Sequence, residues 1–405
     1  MADEKNILVL TYFSFKDGLI QAYTLPYLKL IHKVSPQRKI FLLTKEKEGM
    51  EITASERLKI DNQLLEHNVY WTPNDYVPFG VQAMIMQVTL VMKLFFFIRK
   101  HQIETLHCWG TPPGVEAFIL SKLTGKRLII DSFEPHAEAQ VENGSWTKKS
   151  LGYKVLWYFE KKMALHAETL IYTAQNMVQY AKEKYGAYDA KEFVKPACVN
   201  LDQFSKSHVK NNTLLNELGL KDKVVALYTG KFGGIYHDVE VFQYLKAASE
   251  FWPNNFAALI ISPTPRAEIK LYCHKVNLDP DLVISRFVPH EKIASYMGLA
   301  DFALTPVRSV PTKKCCTPIK DGEYWALGLP VVITRDISDD SNLISSHKIG
   351  SVISNFDPDE INRSLLEVHS ILNQDKDELY TRIRSVAETY RNFKIAENIY
   401  QEIYS

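Results

Sequence analysis

Cysteine is scarce in this chain, and what there is does not pair. The five cysteines, Cys108, Cys198, Cys273, Cys315 and Cys316, are odd in number and widely spaced, and no C-x-x-C occurs. That excludes a disulfide scaffold, argues against a zinc cluster and fits a reducing compartment. The adjacent pair Cys315–Cys316 has a spacing unsuited to an ordinary structural disulfide. A surplus of one charge sign is also missing, since 48 Lys and Arg face 47 Asp and Glu. Without a basic surplus there is no electrostatic footprint for duplex nucleic acid, and no nucleic-acid partner is expected. No apolar run reaches the roughly 20 residues that span a bilayer. The most lipid-like stretch, Ala83 to Ile98, is interrupted by Gln87, Thr89 and Lys93. No G-x-G-x-x-G follows the first apolar run, which speaks against a dinucleotide-dependent dehydrogenase. Repeats and low-complexity tracts are absent. Met1 to Lys5 is polar and shows no secretory leader, so the expected location is the cytoplasm.

Apolar residues make up 46% and charged residues 23% of the 405, ordinary values for a globular protein of two to three domains. A chain this long buries enough apolar surface to fold without disulfides or metal. Short β-branched runs alternate with helical patterns. Strands are expected at Ile7–Tyr12, Lys39–Thr44, Val69–Thr72, Thr105–Cys108, Arg127–Asp131 and Thr169–Tyr172. The rhythm restarts at Val224–Tyr228, Ala257–Ile261, Val283–Phe287, Phe302–Pro306, Val331–Thr334 and Ser351–Ile353. Such alternation gives right-handed βαβ units and parallel sheets. The fold class is therefore α/β, with two Rossmann-like doubly wound domains facing a central cleft. The expected division is 1–198, 199–380 and a C-terminal helix, 381–405, that returns to the first domain. The break falls near Lys195–Ser205, a segment begun by Pro196 in which few residues look like core. Ala83–Ile98 is expected as a buried helix on a sheet. A helix lying on a membrane surface is the second reading, which Arg99 and Lys100 allow.

The most informative segment is Cys316 to Thr334, CTPIKDGEYWALGLPVVIT. Thr317 suits an N-cap and Pro318 a first helical residue. The helix should run to about Leu327 and end at Gly328, before a strand at Val331. A helix N-terminus offers free N–H groups and partial positive charge, and Lys320 adds a full charge in the first turn. Glu323, at i+3, shares that face and can accept hydrogen bonds from a ribose diol. The set suits a nucleoside diphosphate. A surface helix with a Lys–Glu pair satisfies the same spacing.

The order Pro318, Lys320, Glu323, Tyr324, Ala326, Gly328, Pro330, Val331, Val332 resembles the donor-binding helix of retaining glycosyltransferases with the GT-B fold, family 4. Many members carry two glutamates separated by seven residues. Glu323 matches the second, and Cys315 stands at the position of the first. Leu227 to Val241, LYTGKFGGIYHDVEV, resembles the family's first strand and loop of the C-terminal domain. Gly230, Gly233 and Gly234 allow close approach of a ligand to the backbone. The resemblance places Lys231 on the diphosphate, while Tyr236 and His237 stand where a second basic residue is usual. Phe287–His290 is similar to the nucleobase region, which puts backbone around Val288 and Pro289 against the base.

In the first half, Asp131 to Trp146 follows a strand and carries Asp131, Glu134, His136 and Glu138. In the family this loop faces the acceptor and the donor sugar, and His136 would orient the acceptor hydroxyl, accept its proton or contact the sugar. A solvent-facing His in a polar loop is the plainer account. Gly18, beside Asp17 in the first strand–helix loop, corresponds to a glycine that lets the loop touch the donor. Cys108–Gly114 is a further strand-end loop.

The resemblance implies transfer of a sugar, in family terms a hexosyl transfer with retention, from a nucleoside-diphosphate sugar to a glycan or lipid-linked acceptor, as in polysaccharide biosynthesis. The catalytic candidates are His136, Glu134 and Lys231. The donor candidates are Gly18, Gly230, Lys231, Gly233, Gly234, Val288, Thr317, Pro318, Lys320 and Glu323. No cofactor beyond the donor and no metal are expected, since no D-x-D stands at a strand end and Asp339–Asp340 reads as a loop with solvated charges. A peripheral position at the inner membrane face is compatible. Two alternatives stay open: an epimerase or inverting transferase, for which Glu134 and His136 would serve, and a non-catalytic nucleotide-sugar or glycan binder, for which Cys315 is the argument.

Overall fold

In a computed structural model, residues 5–76, 81–186 and 188–405 are described, those of 81–87 by their backbone alone. The polar start before Lys5, and the side chains of the first part of the lipid-like stretch, lie outside the described residues. The chain divides into two compact units, Met1–Pro196 with Lys394–Ser405, and Ala197–Phe393.

The first unit is built on strands β1 (Asn6–Leu10), β2 (Ile40–Glu46), β3 (Val69–Asp75), β4 (Ile103–Trp109), β5 (Arg127–Phe133), β6 (Thr169–Tyr172) and β7 (Lys191–Val194). They form one parallel sheet in the order β3-β2-β1-β4-β5-β6-β7. Helices α1 (Leu25–Val34), α2 (Ala54–Leu65), α3 (Val81–Lys100), α4 (Thr111–Thr124), α5 (His136–Glu142), α6 (Leu151–Ala164) and α7 (Gln175–Tyr185) connect them. The central strands read as unbroken apolar runs because helices cover both faces. All five residues of β1 are buried. Local signals set the helix starts. Thr53 and Glu56 form a capping box on α2, and the Ser150 hydroxyl accepts from the Tyr153 N–H on α6.

The second unit repeats the plan with β8 (Val224–Thr229), β9 (Phe256–Ile261), β10 (Val283–Arg286), β11 (Phe302–Thr305), β12 (Val331–Thr334) and β13 (Gly350–Ile353). Its parallel order is β10-β9-β8-β11-β12-β13. Its helices are α8 (Asn212–Glu217), α9 (Val239–Phe251), α10 (Arg266–Lys275), α11 (Ile293–Met297), α12 (Ile319–Ala326), α13 (Asp340–His347), α14 (Pro358–Leu372) and α15 (Lys376–Tyr390). A last helix, α16 (Phe393–Tyr404), joins the first unit from Lys394 onward. In each sheet the strand order reverses once, between β1 and β4 and between β8 and β11. Ligands of open α/β sheets bind outside the carboxyl ends of strands at such a reversal.

The twelve expected strands are present and a thirteenth, β7, joins them at the sheet edge. The returning segment begins at Lys394 rather than 381, because α15 packs on α12 within the second unit. The segment Lys195–Ser205 is not poor in core residues. Lys195, Ala197, Cys198, Val199 and Phe204 are all buried.

Lys195 explains why. Its ammonium lies 3.1 Å from the Asp131 carboxylate, both fully buried. The same carboxylate accepts from the Tyr400 hydroxyl at 2.7 Å and lies 3.3 Å from His107 Nε2. Nδ1 of His107 bonds the Tyr404 hydroxyl at 2.6 Å. Burial alone would push the Asp131 carboxyl up, but Lys195, His107 and Tyr400 outweigh it and hold it down at about 2. Asp131 is thus a structural anchor tying α16 and the chain exit to the centre of the sheet. Removing one partner of a buried pair leaves the other charge unmatched, at a cost of about 3–5 kcal/mol. Asp131→Ala should lower stability to urea by that order, while exposed Lys206→Ala, whose pair with Asp377 is at the surface, should leave it nearly unchanged.

Candidate functional site

The switch point of the second sheet is where the candidate residues gather. Residues of the first turns of α12 reach both central strands. The Lys320 ammonium donates to the carbonyl of Thr229, the last residue of β8, at 2.8 Å. Asp321 accepts from the hydroxyl of Thr305, the last residue of β11. One turn on, the Tyr324 hydroxyl accepts from the Thr229 N–H at 3.1 Å and bonds the Thr229 hydroxyl. The sequence does this because residues at i, i+1 and i+4 of a helix point down one side.

Lys320 is partly buried. The rings of Tyr236 and Tyr228 lie 4.2 Å and 5.0 Å from its ammonium. Burial, only partly countered by Asp321 and Glu323, pushes its amine down to about 8. Glu323 stands on the same helix, and burial pushes its carboxyl up to about 7 against the pull of Lys320. Among the described residues its carboxylate accepts no side-chain hydrogen bond. A cation with one carbonyl partner and a carboxylate with none form a pair that an anionic, hydroxyl-bearing ligand would complete.

The glycine loop fits around this lysine. Gly230 has φ +125, and a Cβ there would come 3.2 Å from the Lys320 ammonium. Gly233 and Gly234 also take positive φ, and the loop turns back so that the His237 N–H donates to the Pro306 carbonyl at 2.9 Å. Lys231 lies on this loop with its side chain exposed, and its carbonyl accepts from the Tyr228 hydroxyl. Tyr236 therefore acts as one wall of the lysine's pocket, a role its place in the sequence did not reveal.

Several expectations change in detail. Thr317 is not the N-cap of α12. Pro318 holds that position with ψ 118, helical geometry starts at Ile319, and the Thr317 hydroxyl lies 3.4 Å from that of Ser338. Proline has no N–H to lose at a helix start, so it can terminate the extended segment as well as open the helix. Asp340 is not solvated. It is buried in α13 and paired with the guanidinium of Arg391, itself 1% exposed. Burial pushes both Asp321 and Asp340 up, and Arg391 opposes it. A Cβ on Gly322 would come 3.0 Å from Arg391 Cγ, so this glycine lets the chain after α15 press against α12. Cys315 is buried, and Cys316 Sγ lies 3.4 Å from the Thr312 carbonyl and 3.8 Å from Lys313 Nζ. The Val288 side chain belongs to the core, leaving only its backbone for a ligand.

In the first unit, Glu134 and His136 sit after β5. The Glu134 carboxylate accepts from the Thr173 hydroxyl at 3.1 Å, and its carbonyl accepts from Thr111 at 2.8 Å. A Cβ on Gly110, φ +81, would come 4.0 Å from His136 Cε1, so the loops after β4 and β5 meet there. The buried Glu160 carboxylate accepts from the Ala137 N–H at 2.8 Å and from Tyr185 at 3.0 Å, fixing the start of α5. Glu138 is taken by Tyr180 and Lys184. Gly18 lies at the start of the helical segment before α1, with open space around it. Asp17 accepts from the Leu19 N–H at 2.9 Å. A cavity of about 620 Å³ between α1 and α2 touches none of the candidate residues. Among the described residues no group of three or more His, Cys, Asp or Glu is placed to hold a metal ion, and no helix is long and apolar enough to cross a membrane.

No protein-family model matches the chain, and no curated protein matches it by sequence. Solved structures do match it in shape. Sucrose-phosphate synthase from Thermosynechococcus elongatus superposes with TM-score 0.73 at 14% identity, over 98% of each chain. HepE from Anabaena in complex with UDP gives TM-score 0.72 at 14% identity, over 98% of this chain and 99% of that one. A glycosyltransferase from Rickettsia africae gives 0.71 at 12% identity, over 99% and 98%. The fold is thus GT-B, two Rossmann-like units of the kind on which these glycosyltransferases are built.

The lowered basicity of Lys320 is directly measurable. In competitive acetylation read by mass spectrometry, its amine should reach half-maximal reactivity near pH 8, against roughly 10.4 for an unperturbed lysine. Gly230→Ala, by crowding the ammonium, should shift that midpoint; an unchanged value near 10.4 in the wild type would mean that Lys320 is solvated.

Proposed function

We propose that this chain transfers a sugar, a hexosyl unit in the reading carried here, from a nucleoside-diphosphate sugar to a glycan or lipid-linked acceptor, with retention of configuration. The observation that carries the proposal is the position of Lys320, half-buried at the switch point with one carbonyl partner among the described residues. In this reading the diphosphate takes the first-turn N–H groups of α12, Lys320 and Lys231, with Gly230, Gly233 and Gly234 giving it room and Thr317 and Pro318 flanking it. Glu323 accepts the ribose hydroxyls, and backbone at Val288 and Pro289 meets the base. The cations stabilise negative charge on the departing nucleoside diphosphate, and this is where the reaction gains most. His136 and Glu134 serve the acceptor hydroxyl. Uridine is the first base to try, since the similar HepE was solved with UDP. The charge of the diphosphate is carried by lysines and helix, so EDTA should leave the rate unchanged.

A second reading, a non-catalytic nucleotide-sugar binder, is favoured by Cys315, which stands where many members of the family that the α12 sequence resembles carry a glutamate. Both readings share the donor site, and activity separates them.

The test is a calorimetric and thermal-shift panel of UDP, GDP, ADP and CDP. One should bind, and at 100 times its dissociation constant should stabilise the fold by about 2.7 kcal/mol. Lys320→Ala and Glu323→Ala should each weaken that binding by about tenfold or more, the loss of a charge-assisted hydrogen bond. Affinity should fall as pH rises through about 8, where Lys320 loses its proton, and as pH falls through about 7, where Glu323 gains one. Failure of all four nucleotides to bind would overturn the donor site. Binding without release of sugar from any UDP-, GDP- or ADP-sugar would move the second reading to the front.

A further inference from the structure

Helix α4 lies between α3 and α6 on one face of the first sheet. The outward side of this layer is unusually apolar. Val88, Met92 and Phe96 on α3, and Leu151, Val155 and Tyr158 on α6, are exposed. Their spacings, i, i+4, i+8 and i, i+4, i+7, put each trio on a single stripe.

What stands between these residues is charge of one sign. Helix α3 contains no Asp or Glu. The one carboxylate of α4, Glu116, is buried and paired with Lys45 at 2.8 Å. The one carboxylate of α6, Glu160, is buried against Ala137 and Tyr185. No carboxylate of the three helices therefore reaches solvent, whereas Lys93, Arg99, Lys100, Lys122, Lys154 and Lys162 do. Of the neighbouring acids, Glu104 on β4 and Glu168 just before β6 are already paired with Lys126 and Arg127. This segregation occurs in a chain whose net charge is only +1. An ordinary solvated helix face would mix both signs and few large apolar groups.

We propose that this face rests on an anionic lipid surface. The apolar stripes enter the headgroup boundary, and the lysines and arginine lie over lipid phosphates. The contact is interfacial, since no described helix can cross the bilayer. It is independent of the donor site, and a lipid-linked acceptor would give it a use.

The test is co-sedimentation of the full chain, without nucleotide, with vesicles of phosphatidylcholine alone or mixed with phosphatidylglycerol. The mixed vesicles should retain it and the neutral ones should not, with binding lost as salt rises. Lys154→Ser with Lys162→Ser should weaken partition about 30-fold, roughly fivefold per charge. Met92→Ser with Phe96→Ser should weaken it by about tenfold or more. Leu366→Ser, at an exposed position of α14 in the second unit, should leave it unchanged. All these sites are exposed, and thermal melts check that each variant folds. No retention on anionic vesicles at low salt, equal retention on neutral ones, or unaltered retention of both double variants would overturn the proposal. Binding to an acidic protein but not to vesicles would give the face to a protein partner and also overturn it. Nucleotide binding is measured on the same preparations without lipid, so failure of one claim does not touch the other.

Discussion

A lysine kept partly out of water at the end of a central strand governs the arrangement of the second unit. An ammonium in that position needs partners, and among the described residues Lys320 has one carbonyl acceptor and two aromatic faces, with Asp321 and Glu323 only partly offsetting its burial. Everything nearby accommodates it. Gly230 leaves the space its Nζ occupies, Tyr324 fixes the helix to the same strand end, and Asp321 fixes it to the next. Behind the helix, Arg391 and Asp340 hold the other side, with Gly322 allowing the close approach. A rigid helix start that presents an incompletely matched cation is what an anion site requires before the anion arrives.

The first unit uses buried charge to the opposite end. Asp131 is surrounded by Lys195, His107 and Tyr400, each within ion-pair or hydrogen-bond distance of its carboxylate. Such a network specifies structure: it pins the returning helix and the chain exit to the sheet. The contrast gives a physical criterion. Matched buried charge marks scaffolding, and a buried charge lacking its match marks a place for a ligand. By that criterion Asp131, which follows a strand and resembles a cleft residue in sequence, belongs to the scaffold.

The strands were legible because buried parallel strands are continuous apolar runs. Strand β7, Lys191–Val194, escaped notice because an edge strand of mixed residues leaves no such run. The helix of Lys320 and Glu323 was legible because its meaning is local, a matter of i and i+3. Its contacts were not, since Thr229 lies 91 positions before Lys320. Asp340 resembled a solvated loop residue because its partner, Arg391, lies 51 positions away. Lys195 was hidden for the same reason, its partner Asp131 standing far back in the chain on β5. The charge pattern of α3, α4 and α6 could have been read from sequence only by knowing that Glu116 and Glu160 point inward.

The central claim, that Lys320 is held in readiness for a diphosphate, is tested most directly by proton linkage. Calorimetric titration with UDP at pH 8, in two buffers of different ionisation enthalpy, counts the protons that accompany binding. If Lys320 starts near its depressed value and becomes fully charged against the diphosphate, about half a proton should be taken up. The uptake should grow towards pH 9 and vanish in Lys320→Met. Tight binding with no proton uptake, or with uptake unchanged in that variant, would contradict the account.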